Sequence, residues 1–369
     1  MPSAVVDFSA DRDSVAAAAR ETADRLRYQA QHYALTLLLA LPRQLWSLVL
    51  APRQSRFDAA ILAALQRRYA ALLERDLDNV ARGYYPRALL YQFPLLGYLR
   101  RLPEALLDLP RFVRRRYRRR HDELPRDIDR RRYPHYYLRT FHWQTDGWLS
   151  ERSARLYDAG VEFLFGGTAD IMRRMAIPPV VDAVRGRARP RVLDLACGTG
   201  RFLLQLHRAL PHAQLFGLDM SGPYLERASD LLAGTGTSLI ADNAEAVPLA
   251  DGTFDVVTSL FLFHELPSDA RRRVMREAWR VLAPGGRLVV CDSAQLADSP
   301  ELEPVLRAFA AAYHEPYYNG YLRDDLAAVM TECGFAVERG APQLVSKVVV
   351  GRKPPRASLR RGADRRRNT

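Results

Sequence analysis

The stretch from Arg191 to Leu210 limits the possible folds of this chain more than any other. Val192-Leu193-Asp194-Leu195 is apolar except for one acid, the composition of a strand covered on both faces in a parallel sheet. It runs into Ala196-Cys197-Gly198-Thr199-Gly200. Phe202, Leu203, Leu206 and Leu210 then recur at helical spacing until Pro211 stops the run. The pattern predicts a strand, a tight glycine turn and a packed helix. Such a turn exposes backbone that a Cβ would shield, and the helix after it offers unpaired N–H groups to a ligand. A dinucleotide fingerprint would need a third glycine where Leu203 stands. Asp194 would repel a pyrophosphate and attract an amine or a sulfonium.

Further stretches follow in order. Phe216-Gly217-Leu218-Asp219-Met220 reads as a second strand, ending in an acid placed to accept ribose hydroxyls. Ser238 to Ala241 leads into Asp242-Asn243-Ala244, Phe254 to Leu260 makes a fourth strand, and Pro284-Gly285-Gly286 turns into a fifth over Arg287 to Val290. In this order and spacing the chain resembles the class I S-adenosylmethionine-dependent methyltransferases from Val192 to about Lys353. The resemblance implies a doubly wound, Rossmann-like α/β fold with a seven-stranded sheet, S-adenosyl-L-methionine as cofactor and methyl transfer as the activity. It places Asp194, Gly198 and Gly200 at the methionine end, Asp219 and Met220 at the ribose and adenine, and Asp242 and Asn243 at the adenine. Ala196, Ala244, Leu260 and Tyr157 complete the implied cofactor set. In the ubiquinone/menaquinone C-methyltransferase group, which this chain resembles, the segment before the first strand closes over the cofactor. Ser153 to Asp158 occupies that place here, so Tyr157 reads either as a lid or as part of an aromatic packing layer with Trp143, Trp148 and Phe163.

Ligands of open parallel sheets bind beyond the carboxyl ends of the strands, and Phe261-Leu262-Phe263-His264-Glu265 follows such an end. His264, with Glu265, is the candidate proton acceptor for a methyl acceptor that must lose a proton. The competing reading is that both residues only order the loop or hold the cofactor.

Charge decides what else the chain meets. The 369 residues carry a net charge of +13, and all but two of the 55 basic residues are arginine. Such a balance favours anionic surfaces. Residues 1–133 read as a helix-rich basic accessory domain, 134–353 as the methyltransferase domain, and 354–369 as a disordered basic tail. Tyr33 to Ala51 is strongly apolar, but Pro42-Arg43-Gln44 splits it, which predicts an interfacial hairpin and not a membrane span. The run from Arg111 to Arg132 reads as a solvated face or as a contact with anionic lipid. Asp7, Asp11 and Asp13 argue against a signal peptide. Cys197, Cys291 and Cys333 lack metal-ligand spacing, so no metal is expected and buried reduced thiols in a cytoplasmic protein are.

These features favour a small lipophilic acceptor of quinone, fatty acyl or phenolic type, with peripheral contact to the inner face of an anionic membrane. Nucleic acid as partner is the weaker expectation. An RNA methyltransferase using the basic N-terminal region is one alternative. A non-catalytic S-adenosylmethionine-binding scaffold is the other. The fourth strand ends in Leu260-Phe261-Leu262-Phe263 and lacks the Asn/Asp-Pro-Pro-aromatic tetrapeptide of base-amino methyltransferases.

Overall fold

The structure is a computed structural model that describes residues 22–39 and 57–355. The second half of the expected hairpin (40–51), the acidic N-terminus and the tail from residue 356 lie outside the described residues. After a helix at 22–39 (α1) come α2 (Ala59–Ala81) and α3 (Leu95–Arg118). Next are α4 (Glu151–Leu164), α5 (Ala169–Arg174) and α6 (Ile177–Val184). The alternating part runs β1 (Arg191–Leu195), α7 (Arg201–Ala209), β2 (Gln214–Asp219), α8 (Gly222–Leu231), β3 (Ser238–Ala241), β4 (Phe254–Leu260), α9 (Ser268–Val281) and β5 (Leu282–Ser293). It closes with α10 (Glu303–Ala312), α11 (Tyr318–Arg323), α12 (Leu326–Glu332), β6 (Ala336–Gln343) and β7 (Ser346–Arg352).

The seven strands lie in the order β3-β2-β1-β4-β5-β7-β6; β1 to β5 pair in parallel, and β7 runs antiparallel to both β5 and β6. The order reverses between β1 and β4, so their carboxyl ends open the crevice in which such folds bind ligands. Alternate residues of β1 face opposite sides. Leu193 and Leu195 pack with α9, α11 and α12 through Val274, Tyr321 and Met330. Val192 packs with α6 and α7 through Val180 and Leu206. Burial on both faces explains why the strand reads as a nearly continuous apolar run.

The N-terminal helices belong to the second of these layers. Tyr28 of α1 and Leu72 and Leu73 of α2 are buried in the same core as Met172, Val192 and Val256, which spans residue 133. A charged knot joins them. Asp76 of α2, fully buried, accepts hydrogen bonds from Tyr85 Oη at 2.5 Å and Arg174 Nε at 2.9 Å, and from Tyr28 Oη and Arg174 Nη2. Four donors surround one carboxylate, the condition under which a buried charge is tolerated.

Local rules set the helix ends. Asp58 caps α2 by accepting from Ile61 N at 2.8 Å, Ser150 caps α4 from Ser153 N at 3.2 Å, and Ser221 caps α8 from Tyr224 N at 3.3 Å. Pro300–Leu302 forms a short 3₁₀ turn that leads into α10 at Glu303. The basic run is not uniformly solvated. Arg115 is buried, and its guanidinium donates to Trp143 O at 3.1 Å and to Thr145 Oγ1, fastening α3 to the segment before α4. Cys197 and Cys291 are buried free thiols, and Cys333 is half-buried. Among the described residues no helix is long and apolar enough to cross a membrane.

Candidate active site

The glycine turn leaves β1 with Ala196 at φ 58°, Gly198 at φ 54° and Gly200 at φ 77°, all left-handed. The two glycines do different work. A Cβ on Gly198 would stand in open space, whereas one on Gly200 would meet Leu232 Cδ1 at 2.9 Å and Ala228 Cβ at 3.1 Å. Gly198 thus faces the crevice, and Gly200 lets α8 pack against the turn. Asp219 at the end of β2 accepts from Gly198 N and from Ser221 N, both at 2.8 Å, so one carboxylate fixes the turn and the start of α8. Burial raises its pKa against these hydrogen bonds.

Ala196, Gly198, Asp219, Met220, Asp242, Asn243, Ala244, Leu260, Tyr157, His264 and Glu265 all line one cavity of about 1450 Å³. Asp194 and Gly200 do not. Asp194 is buried within the sheet and accepts from Thr258 Oγ1 at 2.7 Å, and burial pushes its carboxyl up to about 7. Asp242 accepts from Asn243 N at 2.7 Å, and Asn243 Oδ1 accepts from Glu245 N at 2.9 Å, which shapes the rim after β3.

The cavity extends far beyond the glycine turn. Leu38 and Leu39 of α1, Leu95, Leu99, Leu102, Leu106 and Phe112 of α3, and Phe309 and Tyr318 complete an apolar wall. A cavity of this size exceeds the roughly 300–1,000 Å³ usual for one small-molecule site. Over the turn, Tyr157 stands 5.4 Å from both Trp148 and Tyr224, ring centre to ring centre, all edge-on. Tyr157 is therefore both a packing residue and a cavity wall.

At the polar end, His264 Nδ1 lies 2.6 Å from Asp292 Oδ1 at the end of β5. Asp292 is fully buried and is fixed in turn by Phe263 N and Ser293 N, each at 2.7 Å. His264 Nε2 is turned toward Glu265 Oε1, 3.7 Å away. Burial would lower the pKa of His264, but Asp292 and Glu265 outweigh it and push it up to about 9. The surrounding carboxylates thus favour the charged form of His264. Two residues with no motif in the sequence complete this corner. His142, in a left-handed turn at φ 54°, brings Nε2 to 3.2 Å from Glu265 Oε1 and against Glu315 Oε1. Burial opposes its charge, and Glu315 and Glu265 raise its pKa well above the ordinary value. Glu315 lies between α10 and α11, its side chain fully buried. The four residues come from three separate segments, so no sequence spacing betrays them.

A methyltransferase domain family matches residues 192–286, the stretch from β1 to the β5 turn. A ubiquinone/menaquinone biosynthesis C-methyltransferase, UbiE, of Desulfotalea psychrophila is 30% identical over 198 residues, 53% of this chain and 76% of that one. The chain belongs to the class I S-adenosylmethionine-dependent methyltransferases. A demethylmenaquinone methyltransferase of Thermus thermophilus is 39% identical over 114 residues, 30% of this chain and 51% of that one. A 27-O-demethylrifamycin SV methyltransferase of Amycolatopsis mediterranei is 32% identical over 149 residues, 37% of this chain and 54% of that one. Among solved structures, the YcgJ protein of Bacillus subtilis superposes with a TM-score of 0.39 at 19% identity, covering 49% of this methyltransferase and 99% of that chain.

Proposed function

We propose that this methyltransferase transfers a methyl group to a small lipophilic acceptor carrying a ring hydroxyl, of quinol or phenolic type. The observation behind the proposal is the single cavity that runs from the glycine turn to the leucines of α1 and α3. The turn end fits S-adenosylmethionine: Gly198 leaves open space where a Cβ would intrude, and Asp219 presents a carboxylate at the end of β2. Asp219, Met220, Asp242 and Asn243 would hold its nucleoside, and Ala196 and Gly198 its amino-acid end. When bound, it supplies an activated methyl group on a sulfonium. The remaining space is walled by leucines and aromatics, which would receive an acceptor's apolar body and exclude water from the reacting atoms. His264 and Glu265 form a polar corner of that wall beside the aromatic Tyr318, and would meet the acceptor's oxygen.

The known quinone and rifamycin activities of the relatives support this reading. So does the mouth of the cavity. Leu96, Leu99, Leu102, Leu106 and Leu107 of α3 are between 47% and 75% exposed, and Leu99, Leu102 and Leu106 also line the cavity. Arg100, Arg111, Arg114 and Arg118 are exposed on the same helix. An apolar side bordered by arginines is the surface an anionic membrane recognises, so we place α3 on the membrane that holds the acceptor, on its cytoplasmic side.

The test is methyl transfer from labelled S-adenosylmethionine by the full-length protein, offered in parallel a lipid extract rich in quinols, a polar metabolite extract and total RNA. Label is expected in the organic phase. Label confined to RNA or to polar products would overturn the proposal.

A further inference from the structure

We propose that His142, His264, Glu265 and Glu315 form a binding site for one divalent first-row transition ion at the polar end of the cavity. Their candidate ligand atoms all lie within 4.8 Å of one another. Bonds of about 2.0–2.2 Å from imidazole nitrogens and carboxylate oxygens to a common ion span such a group after small side-chain rotations. Two imidazoles with two carboxylates suit zinc, iron or manganese better than calcium or magnesium, which prefer all-oxygen shells.

Three observations point to an ion and not to an ordinary polar cluster. The first is the state of Glu315. It is 5% exposed; its Oε1 is paired with His142 Nε2, and its Oε2 is buried with no hydrogen-bond partner. Glu265 Oε2 is likewise buried without a hydrogen bond. Leaving such oxygens unsatisfied is costly, and a cation would satisfy them. The second is the absence, among the described residues, of any arginine or lysine paired with Glu265 or Glu315, in a chain that is rich in arginine and pairs its buried Asp76, Glu162 and Asp170 with it. The third is the support behind His264. Asp292 holds its Nδ1, which orients the ring and turns Nε2 toward the cluster, the arrangement by which carboxylates position metal-binding histidines.

His142, His264 and Glu265 line the cavity, so one side of the ion would face the acceptor. An open coordination position there would take the acceptor's hydroxyl oxygen and favour its anionic form. That last step rests on the proposed acceptor class; ion binding does not.

The experiment uses the full-length protein, stripped with a chelator and desalted, then titrated with zinc chloride by calorimetry and with cobalt(II) chloride by visible absorption. One ion per chain is expected, with a cobalt spectrum of mixed nitrogen and oxygen ligation. Glu315→Gln and His142→Gln should remove binding, and Asp292→Asn should weaken it by about 10- to 100-fold. Binding of S-adenosylhomocysteine by each variant serves as the folding control. No saturable ion binding by the wild-type protein, or equal affinity in folded Glu315→Gln, overturns the inference. Ion binding without any binding of S-adenosylhomocysteine would sustain the inference and overturn the cofactor assignment instead.

Discussion

Asp219 Oδ2 accepts the amide hydrogen of Gly198 at 2.8 Å, so the acid that ends β2 also fixes the turn that follows β1. Its other oxygen holds Ser221 N, and the carboxylate lines the cavity. Replacing Asp219 with alanine should remove a charged acceptor from the nucleoside and loosen the turn together. S-adenosylhomocysteine affinity should fall by about 1.5–3 kcal/mol, roughly 10- to 150-fold. Calorimetric titration of the folded variant checks this, and an unchanged affinity would remove Asp219 from the site.

Asp76→Asn tests how the N-terminal helices are held. The substitution keeps the shape but leaves the buried guanidinium of Arg174 without its counter-charge. Breaking a buried pair in this way costs about 3–5 kcal/mol. Urea denaturation should show a loss of that order, and a loss below about 1 kcal/mol would mean that the knot is not what ties α2 to α5.

Which of these features the sequence reveals follows from how local they are. The glycine turn, Asp219 and Asp242 stand at strand ends, where an apolar run stops at an acid or a glycine, and the structure gathers Gly198, Asp219 and Asp242 on one cavity. Asp194 looks equivalent in the sequence, yet the pleat turns it inward to Thr258. A strand's last acid can point along either face, and composition does not say which. Arg115 sits in a run of arginines, and only the fold distinguishes it from its solvated neighbours. His142 and Glu315 are out of reach for a stronger reason: they meet Glu265 across more than 100 and 40 residues respectively, without any periodicity. The apolar run that starts at Tyr33 predicts an interfacial segment, but not that its Leu38 and Leu39 line the cavity.

Asp194 should show itself in the pH dependence of stability. Its carboxyl titrates near 7 in the folded protein and near 3.9 when unfolded. Between those values the native state holds a proton that the unfolded state has lost, so stability falls as pH rises from about 4 to 7 and is level above. Asp194→Asn removes this term. Relative to wild type, the variant should gain stability at pH 8 compared with pH 5, measured as the difference in unfolding free energy at the two values. A difference independent of pH would place the carboxyl in a more solvated setting.

Membrane docking by α3 predicts that charge on its leucine side abolishes binding. Leu99→Glu with Leu107→Glu should prevent co-sedimentation with anionic vesicles while S-adenosylhomocysteine affinity stays the same, since neither residue lies at the glycine turn. Neutral vesicles should bind the wild type more weakly than anionic ones, and added salt should reduce the difference. Equal sedimentation of variant and wild type would dismiss α3 as the docking surface.

The two turn glycines should fail in different ways when replaced by alanine. Both are left-handed, so each substitution carries about 1–2 kcal/mol of backbone strain. At Gly200 the new methyl also collides with Leu232 and Ala228, adding about 1–3 kcal/mol of overpacking in the α7–α8 interface. At Gly198 it meets no protein atom within 4 Å and projects into the cavity instead. Gly200→Ala should therefore lower the unfolding free energy more than Gly198→Ala. Gly198→Ala should lose more S-adenosylhomocysteine affinity for each kcal/mol of stability lost. Denaturation and calorimetry on the same pair of variants decide it, and a reversed order would move the ligand's contact from Gly198 to the other side of the turn.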